Sequence, residues 1–195
     1  MIKLLKTITY LSMATMLLST SSMADDVTET MEEALSAYNK GNYTQATEDI
    51  TYVLELIKQK KGKNLKRHLP EALEGWKADE AKSETAGAGM LGGGTTLSRS
   101  YHKDESRITI EIITDSPLLH SIGMMITNPM FASGGELKRI NREKAMIKYN
   151  EKQESGDISL VLDKRFMITV KGKKVSKEDL INYAKAIDFK KLKAN

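Results

Sequence analysis

Three groups of residues in this chain have the types and spacing to do chemistry. The first is "AGAGMLGGGTT", residues 86–96, where Gly87-x-Gly89-x-x-Gly92 has the outline of a phosphate-cradling loop. A dinucleotide fingerprint needs an apolar strand before it and a helix after it, and a Walker loop needs lysine followed by serine or threonine. Here "KADEAKSETA" precedes, and Gly94 is followed by Thr95 and Thr96. Lacking that context, the glycines are expected to make a long hairpin loop, where their freedom at positive φ is useful. The second group is His120 and Met124, four apart on a predicted helix and therefore on one face of it. With Met125 and Met130 close by, thioether and imidazole together would suit cuprous copper. Methionine also fills core gaps, and Leu118, Ile122 and Met125 share the packing stripe of that helix. Packing is the preferred reading, and a copper site at His120 and Met124 is the alternative. The third group is Arg99, Tyr101, His102 and Lys103, a polar-aromatic set at a strand end that would suit an anionic ligand or a partner.

Covalent catalysis finds little to use. There is no cysteine, the histidines are His68, His102 and His120, and no G-x-S-x-G elbow is present. Asp115 and Ser116 lie near His120 in sequence, but Ser116 is better placed as the cap of the helix that Pro117 begins. The carboxylate pairs Glu32-Glu33 and Glu178-Asp179 are expected in first turns, where the helix dipole favours them. No catalytic residue and no cofactor is assigned; the expected role is that of a non-catalytic accessory or protein-interaction protein, with a small-ligand or copper-binding protein as the alternative.

The elements that would position these groups follow from periodicity. "VTETMEEALSAYNKG" ends a helix at Gly41, and "YTQATEDITYVLELIKQKK" sets Ala46, Ile50, Val53, Leu54 and Ile57 on one apolar stripe. These predict an antiparallel helical hairpin. Next comes "KQKKGKNLKRH", read as a solvated helix end and linker; Lys58, Lys60, Lys61, Lys63, Lys66 and Arg67 could also meet an anionic membrane surface. From Trp76 the period changes. "WKADEAKS", "TTLSRSYH" and "RITIEIITD" read as strands, the last with Ile108, Ile110 and Ile112 on one face. "SPLLHSIGMMITNP" reads as a short helix and "ELKRINREKAMIKYN" as one or two strands. "DISLVLDKRFMITVKG" reads as a hairpin. A last helix opens at Ser176, with Asp179 at capping-box spacing and Leu180, Tyr183, Ala184 and Ile187 as its buried stripe. Short connections favour antiparallel pairing. The fold class is therefore α+β: an N-terminal helical hairpin, then an antiparallel sheet of about six or seven strands covered by two helices.

The first residues, "MIKLLKTITYLSMATMLLSTSSMADD", have a positive head, an apolar stretch and small residues at Ser22 and Ala24. That is the layout of a secretory signal peptide cleaved after Ala24. Ser19–Ser22 interrupts the apolar run too early for a transmembrane anchor. Cleavage would remove two lysines and no acid, so the formal charge of +4 falls to +2. A nucleic-acid partner is not expected at that balance. The expected organisation is a signal over 1–24, a helical hairpin and basic linker over 25–69, and an α+β sandwich over 70–195. The expected location is the periplasm or, with release, the exterior. Without cysteine, no disulfide can staple the fold, which must hold by its core.

"YNKGNYTQA" resembles a tetratricopeptide repeat in its Y-x-x-G-x-Y-x-x-A run, with Ile50 and Val53 where that repeat sets its next packing residues. Lys58 stands where the repeat usually has proline, and no second copy follows. Stacked repeats need about three units, so this is read as a single hairpin that docks on its own protein. The strand and helix order from "LPEALEGW" to "VSKEDLINYAKAIDF" is similar to the PsbP-like and LpqN-like α/β sandwiches, and the whole layout to uncharacterised bacterial exported proteins. That resemblance implies accessory or binding roles, with another envelope protein as partner, and supplies no catalytic residues.

Overall fold

The structure is a computed structural model that describes residues 25–86, 94–119, 121 and 135–194. Two helices lead, α1 (Asp26–Asn39) and α2 (Tyr43–Leu65), with a 3-10 turn over Lys66–His68. Among the described residues eight strands follow: β1 (Lys77–Ala78), β2 (Lys82–Ala86), β3 (Gly94–Lys103), β4 (Ser106–Thr114), β5 (Glu136–Ile140), β6 (Glu143–Asn150), β7 (Ser155–Leu162) and β8 (Phe166–Lys173). Two short helices close the chain, α3 (Lys177–Ala186) and α4 (Phe189–Lys193). The class is α+β, as the periodicity predicts.

All strand pairs are antiparallel, in the order β1-β3-β4-β8-β7-β6-β5, with β2 sharing the outer edge of β3 with β1. Alternation decides the two faces. Leu97, Ile112, Ile168, Leu160 and Ala145 lie in register across five strands and are all buried. One residue along, Ser98, Glu111, Thr169 and Ser159 point the other way, toward the polar face. "ELKRINREKAMIKYN" resolves as a hairpin, because Asn141 and Arg142 both take positive φ, 46° and 74°, as a two-residue turn of matching twist requires. Asn141 Nδ2 donates to the carbonyls of Lys185 and Ile187 and fixes that turn to the end of α3.

Helices cover the apolar face. α3 opens with the capping box that the spacing predicts: Ser176 Oγ accepts from the Asp179 amide at 3.0 Å, and Asp179 accepts from the Ser176 amide at 3.2 Å. Leu180, Tyr183, Ala184 and Ile187 are buried, and α4, which periodicity did not suggest, adds Phe189 and Leu192. The stretch read as a basic linker is helical through Leu65, and its last turns pack on β2 and β3. Its lysines bracket Gly62 and Leu65, three apart, and both are buried. A Cβ at position 62 would come within 2.8 Å of Thr95 Cγ2 and closer still to Ser83 Oγ, so glycine permits this approach of helix to sheet. Glu178 and Asp179 lie in a first turn, but Glu32 and Glu33 lie in the second turn of α1, which begins earlier than the carboxylates suggested.

Candidate interaction surface

The third group of candidate residues is divided by the pleat. Arg99 and Tyr101 face inward and His102 faces the open side of the sheet. Arg99 donates twice to the Glu71 carboxylate, at 3.0 and 2.9 Å, and also to the Pro70 and Asp79 carbonyls. Tyr101 is fully buried and its hydroxyl donates to the Pro70 carbonyl at 2.7 Å. Its ring meets Tyr183 with centroids 4.4 Å apart, and Tyr183 meets Trp76 at 5.2 Å. The Tyr183 hydroxyl accepts from the Leu73 amide at 3.3 Å. These side chains bind residues 70–79 down across the sheet end, a task internal to the fold. The charges respond accordingly. The Arg99 guanidinium holds the Glu71 carboxyl below its ordinary value, and burial pushes the Tyr101 phenol up.

His102 Nε2 bonds Asp79 at 2.9 Å and lowers the Asp79 carboxyl. Lys103 is exposed at the β3–β4 turn. His120 and Met124 lie outside the described residues, as do Gly87, Gly89 and Gly92 of the glycine loop. Among the described residues no group of three histidine or carboxylate side chains converges as metal ligands would. The six basic residues occupy the end of α2 and the 3-10 turn, where helical geometry distributes them around the axis rather than along one face. Lys60 pairs with Asp25, and Lys61 with Asp115 at 2.6 Å.

Among the described residues, most of the large apolar side chains left exposed are on the hairpin. Gly41, at φ 74°, turns the chain, and Asn42 caps α2 by accepting from the Gln45 amide at 3.3 Å. Between them α1 and the projecting part of α2 bury only small or medium residues: Ala34, Ala37, Ala46 and Val53. Ile50, Leu54 and Ile57, which share the predicted packing stripe, stay exposed at 60%, 50% and 45%. The reason is width. The stripe spans more of the helix than one narrow neighbour can cover, so α1 meets its alanine edge and leaves the bulky edge out.

On α1, Met31, Leu35 and Tyr38 recur at steps of four and three and are exposed as well. In both helices this bulky edge follows the buried edge in the same rotational sense, and antiparallel packing brings the two to one side of the hairpin. The rings of Tyr38 and Tyr43, edge to face with centroids 5.7 Å apart, join them at the tip. Beside the strip, a shallow groove of ≈ 740 Å³ runs along α2, lined by Tyr43, Thr47, Glu48, Thr51, Tyr52 and Glu55. Sequence reasoning missed this surface because it assigned the whole stripe to the interior. The available signal was on α1, whose Met31, Leu35 and Tyr38 had no second stripe to meet.

No described helix is long and apolar enough to cross a membrane. Comparison with family models, with curated proteins and with solved structures gives no match.

Proposed function

We propose that the protein is a non-catalytic accessory of the bacterial envelope that acts by holding another protein on its helical hairpin. The observation that carries this reading is the exposed strip of Met31, Leu35, Tyr38, Tyr43, Ile50, Leu54 and Ile57. From their fractional exposures these residues offer on the order of 800 Å² to solvent, above the few hundred Å² a monomer normally leaves open and about one partner's share of a standard interface. The N-terminal signal pattern supplies the compartment, and the tetratricopeptide-like run around Gly41 agrees with a role in protein contacts. The polar groups that looked suited to ligands are mostly engaged in holding the fold. Arg99 and Tyr101 grip residues 70–79, and His102 is spent on Asp79.

The test is retention of partners from periplasmic extract by the purified protein and by a Leu35→Asn/Ile50→Asn variant. The parent is expected to retain an envelope protein that the variant loses, with unchanged circular dichroism. Identical retention by both would remove the hairpin from the function.

A further inference from the structure

We infer that the partner presents an amphipathic helix flanked by lysine or arginine, laid along the hairpin as a third helix; this rests on the interaction reading above. Charge selects this occupant over the others. From Asp25 to Ile57 the hairpin carries eight carboxylates and one lysine, Lys40. None of these charges lies in the strip itself. Helical geometry places Glu32 beyond the outer edge of the α1 stripe, and Glu48 and Glu55 on the outer face of α2, past Thr47 and Thr51. The surface is thus an apolar track on a hairpin of net acidic charge.

A second copy of the chain would bring two acidic hairpins against each other. An anionic membrane would be repelled by the same carboxylates; of the cations that follow on α2, Lys60 and Lys61 are paired with Asp25 and Asp115, and Lys58 stands next to the strip only at its sheet end. An apolar stripe with cationic flanks complements the track in both respects. The groove beside it is lined in part by Glu48 and Glu55, which a cationic flank would meet. The area of the strip, about one partner's share of a standard interface, matches a single helix of four to five turns better than a flat domain face.

The experiment uses the purified chain and two synthetic peptides of about five turns. Both carry leucine at i, i+3, i+4 and i+7; one is flanked by lysine, the other by glutamate at the same positions. Fluorescence anisotropy is expected to show the lysine peptide binding at least tenfold tighter, with the preference shrinking as salt rises. Leu35→Asn/Ile50→Asn should weaken it tenfold or more. Glu48→Gln/Glu55→Gln should narrow the difference between the two peptides and reduce the salt dependence. Circular dichroism melts confirm that each variant is folded.

Equal binding of both peptides would overturn the proposal. So would a concentration-dependent dimer lost in the strip variant, or strip-dependent binding to phosphatidylglycerol vesicles. If the lysine peptide fails while the strip variant still loses an envelope protein from extract, this partner is wrong and the interaction reading stands. If both fail, both fall.

Discussion

The sheet and the hairpin are built from similar side chains that meet opposite fates. In the sheet, Ile110, Ile158 and Val170 are fully buried in register, because flat strands present a broad face that α2, α3 and α4 can cover together. In the hairpin, two cylinders touch along a line and bury Ala34, Ala37, Ala46 and Val53, leaving isoleucine, leucine and tyrosine outside. A hydrophobic pattern is thus a statement about appetite for burial, and the neighbouring geometry decides how much of it is met. One region stores its apolar surface as stability. The other leaves it exposed to solvent.

The largest effect is expected at the sheet centre. Leu160→Ala should cost about 2–5 kcal/mol and lower the melting temperature by ~5–15 °C, measured by calorimetry. A loss below 1 kcal/mol would mean that the sheet face is not the stabilising core. The junction comes second. Gly62→Leu should cost about 1–3 kcal/mol through overpacking against Thr95 and Ser83. Amide exchange should quicken in β2 while β7 and β8 stay protected, since α2 packs mainly on β2 and β3. Uniform quickening would show one cooperative unit without a distinct junction.

In the hairpin strip, Leu35→Ser/Ile50→Ser should change stability by no more than about 0.5 kcal/mol per site, as expected for exposed positions. A drop of several kcal/mol would place those residues in the interior and dissolve the contrast. The smallest effects are electrostatic. Glu71, Asp79 and Asp25 each have carboxyls lowered by a hydrogen-bonding cation or imidazole: Arg99, His102 and Lys60 respectively. Lowered folded pKa values mean that the unfolded chain takes up protons first. Each contribution is complete above the ordinary carboxylate range and fades as pH falls through the lowered folded value. Melting temperature against pH should therefore fall slightly less steeply below pH 5 for Glu71→Gln or Asp79→Asn than for the parent. Coincident slopes would show these exposed pairs to be neutral.

Most of the fold was legible because strong alternation and sharp punctuation coincide. Ile108, Ile110 and Ile112, the Leu160–Ile168 pairing and the Ser176–Asp179 box all mean in three dimensions what they mean in one. The end of α2 was obscured because its lysines dominate the composition, while the contacts that matter come from a glycine and a leucine between them. The role of Arg99 and Tyr101 was hidden for a different reason. Their partners, Glu71 and Pro70, lie about thirty positions away, a separation that no local pattern reports. The hairpin surface was half legible. Its apolar residues stand plainly in the sequence, but their exposure depends on how narrow a neighbour α1 turns out to be.

Because α2 is one uninterrupted rod of 23 residues, about 34 Å long, that meets β2 and β3 at Gly62 near its C-terminal end, it has the mechanics of a lever. A tilt of roughly 5° at the Gly62 fulcrum sweeps the Tyr43 end through about 2 Å, so cargo loaded near the tip would bear on the outermost strands where β2 and β3 meet.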